Sequence, residues 1–136
     1  MTYTLYLTFS NEGDGIQKYE AHPIWGSQLR LPHNAPLDGY GIRLVQRQAR
    51  TDDRIIHNNF PENRNYYFRV RTEINDKGEI GSALYGKIYG NIKFSPISIG
   101  MLYYLNPDPN DRNLESDYKK NLFPSKEKYG FTEYPP

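Results

Sequence analysis

Along residues 2–9 apolar and polar positions alternate, with Tyr3, Leu5, Leu7 and Phe9 on one side and Thr2, Thr4, Tyr6 and Thr8 on the other. That period of two predicts a half-buried β-strand. Asn11-Glu12-Gly13-Asp14-Gly15 is turn chemistry and ends it. The alternation returns over residues 66–74, where Tyr66, Phe68, Val70, Thr72 and Ile74 form one face and Tyr67, Arg69, Arg71 and Glu73 the other. Asp76-Lys77-Gly78 then fits a three-residue hairpin loop, a type I turn closed by glycine in the left-handed region. Such a loop pairs Asn75 with Glu79 and fixes the register: Val70 opposite Leu84, Phe68 opposite Gly86, Tyr66 opposite Ile88. Apolar face meets apolar face, whereas a loop one residue shorter or longer puts Phe68 opposite Tyr85 or its neighbour. The second strand continues through Ile92 and Phe94. After Ser95-Pro96 the pattern resumes at Ile97, Ile99, Met101, Tyr103 and Leu105. Proline fits poorly in a tight primed hairpin turn, so this connection is expected to be a wider loop or a corner into a second sheet.

Elsewhere the pattern is weaker. Residues 16–39 contain His22-Pro23, Trp25-Gly26, Leu31-Pro32 and Ala35-Pro36, which argue against a helix and for irregular or edge structure. Residues 41–48, GIRLVQRQ, follow an Asp38-Gly39 turn and read as a strand rather than a short helix. After Leu105 the periodicity stops. Residues 106–136 are polar and punctuated by Pro107, Pro109, Pro124, Pro135 and Pro136, with at most a helical turn or two within 113–122. The predicted fold class is therefore all-β. It is a small antiparallel β-sandwich of about six to eight strands over residues 1–105, with an irregular extension, 106–136, packed on it or mobile.

Phe60-Pro61, then Tyr66, Phe68 and Val70, then a hairpin ending in Gly78, resembles the strand F to strand G portion of immunoglobulin- and fibronectin type III-like sandwiches over residues 60–82. The resemblance implies that Tyr66 is a corner tyrosine whose hydroxyl ties the chain to nearby backbone. It also implies adhesion or binding in preference to catalysis, by analogy of fold alone. Trp25 departs from the family, because it stands in a Pro/Gly-rich stretch instead of a regular core strand. The strand after Phe94 and the extension have no counterpart in the plain fold.

Composition and charge sharpen this picture. Thirteen Tyr, six Phe and one Trp supply large side chains that build a core and still carry polar tips, so a hydrophobic fraction of 37% is compatible with a folded domain. The net charge of +1 provides no strong field for nucleic acid or membrane. Cysteine is absent, which excludes disulfides, cysteine-ligated zinc and a thiol nucleophile. The leading residues have no charged n-region, and no stretch approaches about 18 apolar residues, so neither a signal peptide nor a membrane span is expected.

The outward face of the central hairpin is the candidate binding surface. The register sets Arg69 across from Tyr85 and Tyr67 across from Lys87, with Tyr89, Asn91 and Lys93 extending the row. Aromatic platforms among cations stack sugar rings, or stack bases while the cations follow a phosphate backbone. The plainer alternative is cross-strand Arg–Tyr and Tyr–Lys pairing that serves the sheet itself. Residues 40–71 carry seven Arg against Asp52, Asp53 and Glu62, a local excess of four positive charges, though all seven cannot share one face. Asn106, Asp108 and Asn110, with Asp117 in the twelfth position, partly match a calcium loop. Asp111 stands at the turn glycine, Arg112 is seventh and two prolines stiffen the start, so turn capping is the competing role. His22, His33 and His57 have no metal spacing. No cofactor is implied.

These readings converge on a non-catalytic binding or structural β-domain, with a protein or glycan partner ahead of nucleic acid. The alternatives are a small hydrolase-like enzyme built on a His–carboxylate pair and a single-stranded nucleic-acid binder on the basic–aromatic face. A homodimer through an edge strand, or through the tail ending FTEYPP, is a further expectation.

Overall fold

The computed structural model describes residues 1–20, 34–51, 54–60 and 64–114. His22, Trp25, His33, Asp52, Asp53, Glu62, Asp117, the turns expected within 115–122 and the tail proposed for dimerisation lie outside the described residues. Seven strands follow in chain order: β1 (Thr2–Thr8), β2 (Gly15–Glu20), β3 (Arg43–Arg50), β4 (Ile55–Asn58), β5 (Arg64–Ile74), β6 (Ile80–Ser95) and β7 (Ser98–Leu105). There is no helix among the described residues. The strands form two antiparallel sheets, β1-β3-β4 and β2-β5-β6-β7, packed face to face as a small β-sandwich.

The core lies where the alternating patterns said it should. Leu5 and Leu44 from the first sheet meet Ile16, Tyr66, Ile88, Ile92 and Phe94 from the second, and Phe60, Phe68 and Tyr103 close the margins. A two-way bridge between Ile16 and Gly41, both bonds 2.9 Å, stitches the sheets together at one corner. β2 is an edge strand within the segment whose prolines and mixed pattern hid it.

The central hairpin has the register derived from its loop, with Tyr66 opposite Ile88, Phe68 opposite Gly86 and Val70 opposite Leu84. Asn75 donates to the Glu79 carbonyl at 2.8 Å, and Gly78 takes φ +78°. Nearer the loop the ladder slips twice and recovers. The extra residue on β5 includes Arg71 at φ +53°, a left-handed conformation that costs a side-chain-bearing residue free energy. Asp14 offsets that cost. Its carboxylate accepts from the Arg71 and Thr72 amides at 3.2 and 2.9 Å, while Asn11 Nδ2 donates to the Thr72 carbonyl. The β1–β2 turn thus serves the backbone groups that the bulge leaves without ladder partners.

The β6–β7 connection corrects the sequence reading. Ser95 pairs with Ser98, so Pro96-Ile97 is a tight two-residue loop within one sheet, neither wide nor a corner. Neither central residue has positive φ, which makes the turn an unprimed one whose first central position suits the fixed φ of proline. The bulge between Tyr89 and Lys93, with Gly90 at φ +77°, supplies twist that such a turn lacks.

Candidate functional site

Tyr67, Arg69, Tyr85, Lys87 and Tyr89 do share one face of the β2-β5-β6-β7 sheet, as the register required. That face is not an open strip, which corrects the expectation of a solvent-facing platform. Tyr67, Arg69, Tyr85 and Lys87 are all buried, and Tyr89 is half-buried. The covering layer comes from residues 34–40 and 106–114. Ala35 and Leu114, at 0% and 1% exposure, pack with Tyr67, Ala83, Tyr85 and Tyr104, and Tyr19, Tyr40 and Tyr89 flank them. The covering segments are tied to each other and to the sheet. The Ala35 amide donates to the Arg112 carbonyl at 2.8 Å, the Arg112 guanidinium donates to the Ala35 carbonyl at 2.8 Å, and the Asn106 amide donates to the Tyr85 carbonyl. The second sheet is therefore the middle of three layers.

Arg69 explains how a cation enters this layer. Its Nε donates to the Gly13 carbonyl at 2.7 Å and a terminal nitrogen donates to the Leu37 carbonyl at 2.9 Å. The guanidinium also lies 4.6 Å from the centroid of the Tyr40 ring. Tyrosines fill the rest, with Tyr19 and Tyr67 tilted at 5.7 Å and Tyr40 and Tyr85 at 6.3 Å. Of the two roles weighed for this face, the packing is that of cross-strand partners serving the sheet.

Burial moves the phenols in one direction. Removal from water pushes Tyr40 up to about 12, with the neighbouring Tyr85 adding to the rise and Arg69 opposing it. Burial raises Tyr67 as well, reinforced by Tyr19 and Tyr40, and it raises Tyr66 on the opposite face. An unfolded tyrosine titrates near 10. Between about 10 and 12 the unfolded chain has lost protons that the fold still holds, so rising pH favours unfolding. The stability these phenols contribute is fully present below about pH 10 and is lost as pH climbs through about 12. A urea midpoint that falls over this window is the expected outcome.

Two neighbouring tyrosines should answer oppositely to loss of the hydroxyl. Tyr67 Oη is buried with no hydrogen-bond partner among the described residues. Tyr67→Phe is expected to stabilise by about 1 kcal/mol and to lessen the alkaline loss. Tyr66 Oη accepts from Gln46 Nε2 at 2.6 Å and lies 3.5 Å from Asn91 Oδ1. Its hydroxyl meets side chains, not the nearby backbone expected of a corner tyrosine. Tyr66→Phe takes the acceptor from Gln46 Nε2, whose Oε1 already has no partner among the described residues, and should cost about 1–2 kcal/mol in the same urea titration.

The oxygen-rich segment after Leu105 caps turns. Asn106 Oδ1 accepts from the Asp108 amide at 3.0 Å and its Nδ2 donates to the Asn113 carbonyl. Asn110, at φ +63°, accepts from the Ala83 amide at 3.1 Å and donates to the Gly81 carbonyl, carrying the edge of β6 past the end of β7. The oxygens that a calcium loop would aim inward at Asn106 and Asn110 are spent on backbone. Asp108 is exposed beside them, and among the described residues no three acidic or histidine side chains cluster.

The seven arginines are spread over the fold. Arg43 and Arg47 project from β3, Arg50 ends it, Arg54 follows that strand, and Arg64, Arg69 and Arg71 belong to β5 in the other sheet. His57 is exposed on β4.

What the sequence reading did not single out is the far edge of the second sheet. Ile97 is 95% exposed, Ile99 59%, Met101 41% and Leu102 36%. Beside them an open groove of about 220 Å³ runs between the sheets, lined by Leu7, Phe9, Ile16, Phe68, Met101 and Tyr103 together with Ile88. The uncharged alternation Ile97-Ser98-Ile99-Gly100-Met101 at the end of a meander was the available signal. An edge strand covered on one face only leaves its apolar side chains unpaired. No protein-family model matches the chain, and neither a curated protein nor a solved structure matches it.

Proposed function

We propose that the protein is a non-catalytic β-domain that works by offering the β7 edge, with the groove beside it, to an extended segment of another polypeptide. The observation that carries this reading is the exposure of Ile99 and Met101 on one face of an edge strand, with Ile97 in the turn before it and Leu102 on the other face, beside an apolar groove that Met101 lines. An added strand satisfies the edge backbone, and alternate side chains enter the groove. Burial of Tyr67, Arg69, Tyr85 and Lys87 supports the choice of β7 over the tyrosine–arginine face as the binding surface. An all-apolar lining suits an aliphatic or aromatic side chain better than a sugar.

A soluble, uncharged peptide alternating threonine and valine serves as the probe, titrated into dilute isotopically labelled protein. Backbone amide shifts are expected to move at residues 98–103 and to be lost in the Ile99→Lys variant. Shifts confined to β1, β2 or β4, or none at millimolar peptide, would overturn the proposal.

A further inference from the structure

We infer that the strand received by β7 is β7 of a second copy of this chain, paired antiparallel about Gly100. This rests on the reading of β7 as the working edge and adds the identity of its occupant. Directly opposed residues in an antiparallel pair share a face, so a two-fold axis through Gly100 sets Ile99 against the second copy's Met101 and Ser98 against its Leu102. The turn that carries Ile97, just ahead of the strand, then comes to the end of the partner strand near Tyr103, and does so twice. Ile99 and Met101, two exposed apolar residues of the edge, thus become mutual partners on both sides of the axis, as an isologous interface requires.

Charge and space agree with a second copy. Residues 95–105 carry no charged side chain, so two copies meet without repulsion, whereas a charged segment would find no complement. The nearest cation on the adjoining strand is Lys93, paired with Gly100. Across the axis the two Lys93 positions stand three strand spacings apart, about 14 Å, beyond the ~8 Å screening length at physiological salt. A side chain at Gly100 would meet no atom within 4 Å, which leaves the centre of the edge open to close approach. The other edges lack this combination. β2 carries Lys18, β4 has four residues, and β1 turns threonines outward. A contact of one strand edge and its few side chains falls in the class below about 1,200 Å² of total buried surface, so the dimer is a weak, dissociating one.

The absence of cysteine makes the test direct. Opposed residues lie about 4.5–5.5 Å apart between Cα atoms, within the range a disulfide spans. Gly100→Cys, which the open space tolerates, is expected to give at least about tenfold more covalent dimer on mild oxidation than Thr4→Cys on β1. Sedimentation velocity of the unmodified chain is expected to show a monomer–dimer equilibrium that Ile99→Lys weakens at least about tenfold. Three outcomes would overturn the inference: a monomer at every concentration, equal cross-linking of both variants, or cross-linking through Thr4→Cys alone. If the chain is a monomer and the threonine–valine peptide still shifts β7, the second copy fails and the docking edge stands. If neither binds β7, both fail together.

Discussion

Gly86→Ala is expected to lower the unfolding free energy by about 2–3 kcal/mol, with no change in the surface exposed on unfolding. Gly86 is opposite Phe68, and the ring lies across the space where a side chain would begin. A methyl there would sit 2.6 Å from both Phe68 Cε atoms and closer still to Cζ. Neither partner yields easily, since the glycine belongs to a buried strand and the ring is held edge-on to Tyr103 at 6.3 Å. Phe68 lines the groove beside it, and a ring displaced into that space loses the contact with Tyr103. Urea unfolding of Gly86→Ala, Phe68→Leu and the double variant checks the cause. If ring and methyl collide, the double variant costs clearly less than the two single changes together.

Arg69→Ala should cost about 3 kcal/mol, for a different reason. Arg69 is 8% exposed and joins three separate pieces of chain: its own strand, the β1–β2 turn at Gly13 and the covering segment at Leu37. Removing it withdraws charged donors from two carbonyls and a cation from the Tyr40 ring. Arg69→Lys is expected to recover little, because a point charge cannot reproduce the fork that reaches both carbonyls. The loss should also be local. The Ala35 amide, which donates across the cover to Arg112, is expected to exchange faster than the β5–β6 ladder in this variant.

These residues show how much of the molecule was legible beforehand and why the rest was not. The Asp76-Lys77-Gly78 loop fixes pairing locally, so the register of Phe68 on Gly86 and Tyr66 on Ile88 was readable from the chain, and with it the sandwich core. The same logic placed Tyr67, Arg69, Tyr85 and Lys87 on one face correctly. It did not decide what covers that face, because alternation separates two sides of a strand without telling which one meets water. Ala35 and Leu114 come from segments with no periodicity, far apart in sequence, and their meeting over the tyrosines is a tertiary event. The asparagines after Leu105 looked like ligands because the side chains that bind cations also cap backbone. Pro96 misled for a narrower reason: it excludes the primed hairpin turns but leaves an unprimed two-residue turn open.

Selective acylation of lysines, read by peptide mass spectrometry, bears most directly on the three-layer arrangement that turns the basic–aromatic face into core and leaves β7 as the exposed edge. Lys87 and Lys93 lie on the same strand, the first 1% exposed beneath the cover and the second at the surface. The account predicts that Lys93 reacts at least roughly tenfold faster than Lys87 in the native protein, the gap closing only in denaturant. Equal rates in the native state would show the tyrosine face open to water and would contradict the account.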